Sequence, residues 1–130
     1  LDAAKSKLLA AAEKELRSAY EAAPQRADGL RVVAMPLEGY DAKDIKYLLP
    51  KAAALTDAIT ILAAVKPERI SYAVVLGEAA QGDCRGVIKL LNEAFGGRGG
   101  GKSDCAQGGS DYCGDWREKL DAVARQAAAL

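Results

Sequence analysis

A glycine-rich segment between residues 96 and 109 carries the residue pattern with the clearest chemical potential in this chain. Its sequence is GGRGGGKSDCAQGG, and five of its first six residues are glycine. Residues 96–103 satisfy the spacing G-x-x-x-x-G-K-[ST], in which backbone amides and a lysine bind nucleotide phosphates. Taken alone, this spacing predicts a nucleotide-binding loop with Lys102 and Ser103 at its end.

The sequence on either side argues against that chemistry, because a phosphate loop needs a strand before it and a helix after it. The residues before Gly96 have the periodicity of a helix, and residues 104–109 are too rich in glycine to begin one. Two interpretations of residues 96–109 remain. Either they form a tight loop that only connects two elements, or they bring backbone amides and cations close to a flat or anionic ligand.

The cations around this segment define a candidate phosphate-binding surface. Between residues 85 and 102 there are four basic side chains, Arg85, Lys89, Arg98 and Lys102, and the single acid is Glu93. The formal net charge of the whole chain is zero. This region can nevertheless present a local charge of about +3, which suits binding to a phosphate backbone.

Composition argues against several other chemistries. The chain has 130 residues, which suits one domain, and it has no histidine, so the commonest general base is absent. Its three cysteines, Cys84, Cys105 and Cys113, lack the spacing of a zinc site, and their odd, low number favours a reduced, intracellular protein. No apolar run is long enough to cross a membrane. We therefore expect no catalytic residue, metal, cofactor or membrane contact here, and a cytoplasmic location.

Periodicity predicts a mixed α/β fold in which about four strands form a sheet with helices packed on it, preceded by an N-terminal helix. The strands are expected from the runs 30–37, 57–65, 70–77 and, as a short addition, 105–107. The short link between the second and third runs predicts an antiparallel hairpin. The helical pattern between the first and second runs predicts a crossover that joins parallel strands.

Three further helices are expected to follow aspartates that suit the N-cap position, namely Asp41, Asp83 and Asp115. The first of these helices contains Pro50, which lacks an amide hydrogen and clashes with the preceding turn. We therefore expect a kink or a restart near Leu49.

Residues 1–24 are expected to form a helical arm in front of a globular domain of residues 25–130. The arm has one apolar seam, which consists of Leu1, Leu8, Ala12, Leu16 and Ala19, with Leu9 and Tyr20 beside it. Such a seam packs either on its own domain or against another chain. The abrupt beginning of the helix favours the second interpretation, which makes residues 1–22 a candidate element for homodimerisation.

The glycine-rich segment resembles the signature of the DHHA1-type domain in its alanyl-tRNA synthetase form, the C-terminal or C-Ala domain. That signature consists of glycines, a basic residue, three glycines, a second basic residue and a short link to Ala-Gln-Gly-Gly. The corresponding residues here are 96–98, 99–102 and 106–109, and the resemblance covers residues 30–128. Ser103 and Cys105 stand where the family usually has proline and methionine.

The resemblance implies a non-catalytic domain of an alanine–tRNA ligase that binds the outer corner of alanine-specific tRNA and helps to link aminoacylation with editing. Under this interpretation Arg98 and Lys102 contact phosphates, and Gly99, Gly100 and Gly101 let the main chain reach the RNA. The side chain of Gln107 either hydrogen bonds to the RNA or fixes the loop. The remaining cations, Arg85 and Lys89, extend the same basic surface.

Two alternatives stay open at this point. The first is a phosphate- or nucleotide-binding domain of a DHH-type phosphoesterase, or a nucleotide hydrolase that uses Lys102 and Ser103. Such phosphoesterases carry a histidine after their glycines, which this chain lacks. The second alternative is a purely structural dimerisation module built on residues 1–22.

Overall fold

The structure, a computed structural model, describes residues 3–23, 29–55, 57–78, 80 and 82–128. Within these ranges the chain forms four helices and five strands. Their order is α1 (Ala3–Ala22), β1 (Arg31–Glu38), α2 (Ala42–Ala53), β2 (Ala58–Lys66), β3 (Arg69–Leu76), α3 (Cys84–Phe95), β4 (Arg98–Gly101), β5 (Cys105–Ser110) and α4 (Trp116–Ala128).

The strands in the described part of the chain form one mixed sheet in the order β1-β2-β3-β5-β4. The crossover through α2 makes β1 and β2 parallel, and the short turn after β2 makes β2 and β3 antiparallel. The mixed α/β fold, the crossover and the hairpin are therefore confirmed. The sheet has one strand more than the approximate number expected, because the glycine-rich segment itself supplies two.

Helices cover both faces of the sheet. One buried cluster joins the sheet to α1 and α2, and the other joins it to α3 and α4. The central strand β2 is buried along almost its whole length, which explains why its sequence is apolar on both faces. None of the helices within the described ranges is long and apolar enough to cross a membrane.

Helix α2 begins as its sequence predicts and continues where a break was expected. Asp41 accepts hydrogen bonds from the backbone amides of Lys43 and Asp44 at 2.9 and 3.2 Å, and the Asp44 carboxylate accepts one from the amide of Asp41 at 2.9 Å. The helix then runs without interruption to Ala53, so the restart expected near Leu49 is wrong. Pro50 lies in the last turn, where the loss of one amide donor leaves most of the helical bonds intact.

Helix α1 packs its apolar side on the same domain. Leu9, Ala12 and Leu16 are buried, and Ala12 and Leu16 contact the cluster that includes α2. Leu1 of the expected seam lies outside the described residues, as does the side chain of Leu8. The division of the chain near residue 24 stays a prediction.

A polar cluster fixes the end of α1 against the sheet. The hydroxyl of Tyr20 donates a hydrogen bond to the carboxylate of Asp57, just before β2. Arg31 at the start of β1 lies 3.6 Å from the same carboxylate and 4.9 Å from the centre of the Tyr20 ring. This hydrogen bond raises the pKa of Tyr20, because the protonated hydroxyl is the form that donates to Asp57.

Candidate functional site

Most of the glycine-rich segment is a β-hairpin at the edge of the sheet. Strand β4 pairs with β5 in antiparallel register, from Arg98 opposite Gly109 to Gly101 opposite Ala106. The glycine-rich loop expected here therefore contains a strand at 98–101 that was not predicted, and the short strand expected at 105–107 extends from Cys105 to Ser110. Glycine is a weak strand former. Contacts with helix α3 and with strand β3 compensate for that weakness.

The junction between α3 and the hairpin depends on Gly96. This residue ends α3 with φ at 66°, a left-handed conformation that favours glycine. Its own amide donates to the carbonyl of Asn92, and the amide of Gly97 donates to the same oxygen at 3.0 Å. The chain consequently turns back at once and enters β4.

The underside of the hairpin is held by two side chains that hydrogen bond to each other. Asn92 donates from its amide nitrogen to the carbonyl oxygen of Gly99 at 3.1 Å and accepts from the hydroxyl of Tyr72 at 2.6 Å. Tyr72 is 1% exposed, and its ring stacks on Phe95 at a centroid distance of 5.7 Å. Burial raises the pKa of Tyr72 to about 12, so its hydroxyl is a stable donor at neutral pH.

The turn between β4 and β5 is attached to the beginning of α3. The amide of Cys84 donates to the carbonyl of Ser103 at 2.8 Å, and the amide of Leu76 donates to that of Asp104 at 2.9 Å. Asp83 caps α3 as expected, since its carboxylate accepts from the amide of Arg85 at 2.9 Å. Both ends of the hairpin are therefore fixed to the domain.

The glycines of β4 differ in what the fold requires of them. A methyl carbon on Gly99 would lie 2.4 Å from the carbonyl oxygen of Gln107, and one on Gly101 would lie 2.4 Å from that of Cys105. A methyl carbon on Gly100 would meet no atom within 4 Å. Close packing therefore explains Gly99 and Gly101, whereas nothing inside the domain requires glycine at position 100.

Three of the expected site residues share one open face of the hairpin. Side chains alternate along a strand, so Arg98 and Gly100 lie on the same face of the sheet as their partners on β5, Gly109 and Gln107. On this face α2 packs against β2 and β3, and Arg98, Gly100 and Gln107 are exposed. Burial raises the pKa of the Cys105 thiol, two residues earlier on the same face, and the nearby Gln107 side chain partly offsets that rise.

The other expected cations are distributed around the hairpin. Lys102 is exposed in the turn after β4. Arg85 and Lys89 lie on α3, which covers the opposite face of the sheet, so the structure does not bring them together with Arg98. The guanidinium of Arg85 is also 2.9 Å from the carboxylate of Asp83, and this hydrogen-bonded ion pair lowers the pKa of Asp83.

A fifth cation, Arg69, belongs to the open face and was missed by the sequence interpretation. It lies at the start of β3, and a methyl carbon on Gly109 would lie 2.7 Å from its Nη2 atom. Arg69 and Arg98 line a groove of about 470 Å³ together with Gly97, Gly109, Ser110 and Asp111. The register of β3 against β5 creates this arrangement, and no local pattern around Arg69 predicts it.

The chemistry of a phosphate loop does not fit this geometry. Strand β4 occupies the middle of the G-x-x-x-x-G-K-S spacing and a second strand follows it, so no helix begins after Ser103. Burial raises the pKa of the Cys84 thiol to about 12 and also raises that of Cys105, which disfavours reactive thiolates. Among the described residues no group of acidic or sulfur-containing side chains is arranged to hold a metal ion.

A mixed sheet with helices on both faces and a glycine hairpin at its edge defines a domain of the C-Ala type. The fold matches that of the C-Ala domain from Aquifex aeolicus alanyl-tRNA synthetase with a TM-score of 0.66 and 18% identity, covering 76% of this chain and 92% of that domain. No family model matches the chain.

Similarity in sequence identifies the family to which the chain belongs. The chain is 34% identical over 113 residues to an alanine–tRNA ligase of Saccharophagus degradans, a match that covers 84% of this chain and 12% of the ligase. It is 31% identical over 115 residues to the ligase of Stenotrophomonas maltophilia, covering 85% of this chain and 12% of that protein. The chain belongs to the alanyl-tRNA synthetase family as a C-Ala domain, and it spans about 12% of the length of these curated relatives.

Proposed function

We propose that this chain is the tRNA-binding domain of an alanine–tRNA ligase and has no catalytic role of its own. The observation that carries the proposal is the open face of the hairpin, where Arg98, Gly100 and Gln107 are exposed side by side. The relatives are ligases that act on tRNA by name, which supports tRNA as the partner. Aminoacylation and editing would then belong to other domains of a cytoplasmic parent protein.

The hairpin offers an RNA backbone both charge and close approach. Arg98 and Lys102 stand four residues apart, about 14 Å along an extended chain, which is long enough to reach more than one phosphate. Between them the exposed surface of Gly100 carries no side chain, so a ribose or phosphate can approach the main chain directly. Contacts of this type fix an RNA by shape and charge, which suits the outer corner of a folded tRNA.

The proposal is tested by measuring the affinity of the chain for an alanine-specific tRNA transcript at 50 and 200 mM salt, for example by fluorescence anisotropy. We expect the affinity to fall as salt rises, and the variant Arg98→Gln/Lys102→Gln to lower the slope of log K against log salt by about 1.4 to 1.8. The matched control is Lys51→Gln/Arg125→Gln, which removes the same two residue types from exposed positions on α2 and α4. Equal slopes for the two variants, or an affinity independent of salt, would contradict the proposal.

The same protein samples test the nucleotide-binding alternative. ATP and Mg²⁺ should leave the Tm unchanged, because the residues after Ser103 form a strand and not a helix that could bind phosphates at its N-terminus. A rise in Tm that Lys102→Gln removes would favour the nucleotide site instead.

We also propose residues 1–22 as a homodimer element. Leu9, Ala12 and Leu16 are already buried in the domain, so a second chain would have to contact the outward side of α1. Sedimentation equilibrium at increasing protein concentration tests this, and a mass that stays at one chain would contradict it.

A further inference from the structure

The groove beside the hairpin continues across the sheet toward the beginning of α2. A second cavity of about 250 Å³ lies there, lined by Tyr40, Lys43, Ala64, Lys66, Arg69 and Ser71. Arg69 and Glu68 line both this cavity and the one beside Arg98. The two cavities therefore adjoin at Arg69, and we call the pair the transverse groove.

The transverse groove follows a row of paired residues that begins at Arg98 and continues with three small residues. Arg98 pairs with Gly109, Gly109 with Ser71, and Ser71 with Ala64, so the row crosses from β4 to β2 on one face of the sheet. Three inter-strand spacings give it a length of about 14 Å. A row of this length can lie alongside more than one phosphate of a nucleic acid backbone.

The charges that face the transverse groove leave cations in excess. Lys43, Arg69 and Arg98 have no ion-pair partner among the described residues, and all three are exposed. Most of the acidic side chains that line the groove already have partners. Glu68 lies 3.8 Å from the Nζ atom of Lys66, and the carboxylate of Asp41 accepts two amide bonds at the start of α2. Asp111, at the hairpin end, is the remaining acid that lines the groove.

We propose that the transverse groove binds the phosphate backbone of the same RNA beyond the hairpin, with Lys43 and Arg69 as the contacting cations. The inference rests on the proposed function and extends it to a second contact region on α2 and the β2–β3 turn. Both cavities are open to solvent, and the one beside Arg98 has a mostly polar lining. Arg69 connects the two cations at either end, because it lines the cavity of Arg98 as well as that of Lys43. RNA positioned on the hairpin would therefore meet Arg69 first and Lys43 next.

The experiment compares three double variants of the whole chain with the same tRNA transcript over the same salt range. Lys43→Gln/Arg69→Gln tests the transverse groove, Arg98→Gln/Lys102→Gln tests the hairpin, and Lys51→Gln/Arg125→Gln is the matched control. We expect the groove variant to bind roughly tenfold more weakly than the control at low salt, with a slope reduced by about 1.4 to 1.8. All the substituted side chains are exposed, so circular dichroism and Tm should confirm an unchanged fold.

Each result decides between the two proposals. If the hairpin variant weakens binding and the groove variant equals the control, the transverse groove is overturned while the proposed function stands. If the unsubstituted chain does not bind tRNA, both are overturned. A second measurement is independent of the variants. The backbone amide signals of Lys43 and Arg69 should shift on titration with tRNA in ¹⁵N-labelled protein, whereas that of Lys51, at the other end of α2, should not.

Discussion

Asn92 donates a hydrogen bond from its side-chain amide to the carbonyl oxygen of Gly99 at 3.1 Å, and this bond joins helix α3 to the outer strand of the sheet. The same side chain accepts the hydroxyl of the buried Tyr72 at 2.6 Å. Strand β4 consists of an arginine and three glycines, so it has almost no side chains with which to hold itself. Its position is therefore set by a residue on a different element.

Replacing Asn92 should loosen the hairpin and destabilise the domain. Asn92→Ala leaves the Tyr72 hydroxyl without its partner in a buried environment, and we expect the free energy of unfolding to fall by about 1–3 kcal/mol. Urea denaturation measures the change. Glu93→Ala, at the exposed next position of α3, is the control and should stay within about 0.5 kcal/mol of the parent. Equal effects of the two substitutions would show that the hydrogen bonds of Asn92 add nothing.

The same substitution should destabilise the domain much more at Gly99 than at its neighbour Gly100. Gly99→Ala places a carbon 2.4 Å from a backbone oxygen, so the hairpin must shift and stability should fall by about 1–3 kcal/mol. Gly100→Ala meets no atom within 4 Å and should change stability by less than about 1 kcal/mol. Thermal unfolding of both variants checks the prediction, which a comparable loss at position 100 would contradict.

Position 100 also separates RNA binding from stability. If RNA approaches the main chain of β4 as proposed, Gly100→Leu should weaken tRNA binding by an order of magnitude or more while the Tm stays close to that of the parent. The control Ala10→Leu introduces a leucine at an exposed position on α1 and should bind tRNA with the affinity of the parent. Normal tRNA affinity in Gly100→Leu would mean that the main chain at this position makes no contact.

The domain should lose stability at high pH through Tyr72. Its pKa in the folded state is about 12, above the ordinary value of 10.0, so the folded state favours the protonated hydroxyl. The contribution is fully present below pH 10 and disappears as the pH rises through about 12. Unfolding free energies measured across this window should fall less steeply for Tyr72→Phe than for the parent chain. Parallel curves would argue against a role for this hydroxyl.

Acidic pH should destabilise the domain through Asp83, which caps the N-terminus of α3. The pKa of Asp83 is lowered by its hydrogen bonds with Arg85, so its contribution is present above the ordinary value of 3.8 and is lost as the pH falls through the lower folded value. Asp83→Ala should lower stability at neutral pH and should flatten the acid limb of the stability curve. Arg85→Gln should flatten it in part, because the backbone amide of Arg85 still donates to Asp83. Urea titrations at several acidic pH values provide the test, and an unchanged acid limb in Asp83→Ala would contradict it.

Much of the scaffold could be predicted because it depends on local patterns. The run expected at 30–37 is the strand Arg31–Glu38, and the run expected at 70–77 is the strand Arg69–Leu76. Apolar runs of this length, rich in β-branched residues and bounded by turn residues, favour strands over buried helices. The position of Asp41 likewise predicts where α2 begins, since an aspartate at the N-cap accepts hydrogen bonds from the first backbone amides of a helix.

The glycine hairpin could not be predicted in the same way. Glycine has a low intrinsic tendency to form strands, so the local sequence of residues 98–101 favours a loop. Asn92, seven residues before Gly99, supports the strand from the opposite side of the hairpin, and Tyr72, which is distant in sequence, holds Asn92 in place. Helix α1 shows the same limit: its seam was compatible with a second chain or with its own domain, and packing decided for the domain at Leu9, Ala12 and Leu16.

By itself, the sequence determined the order of the elements apart from β4, the ends of the helices at Asp41, Asp83 and Gly96, and the signature that resembles the C-Ala domain. Tertiary structure alone decided which cations share a surface. Neighbouring strand positions point to opposite faces, and helix α3 covers one of them, so Arg98 lies with Arg69 and not with Arg85 or Lys89. The physical reason is that strand register joins residues by position across the sheet, and that pairing has no counterpart in their spacing along the chain.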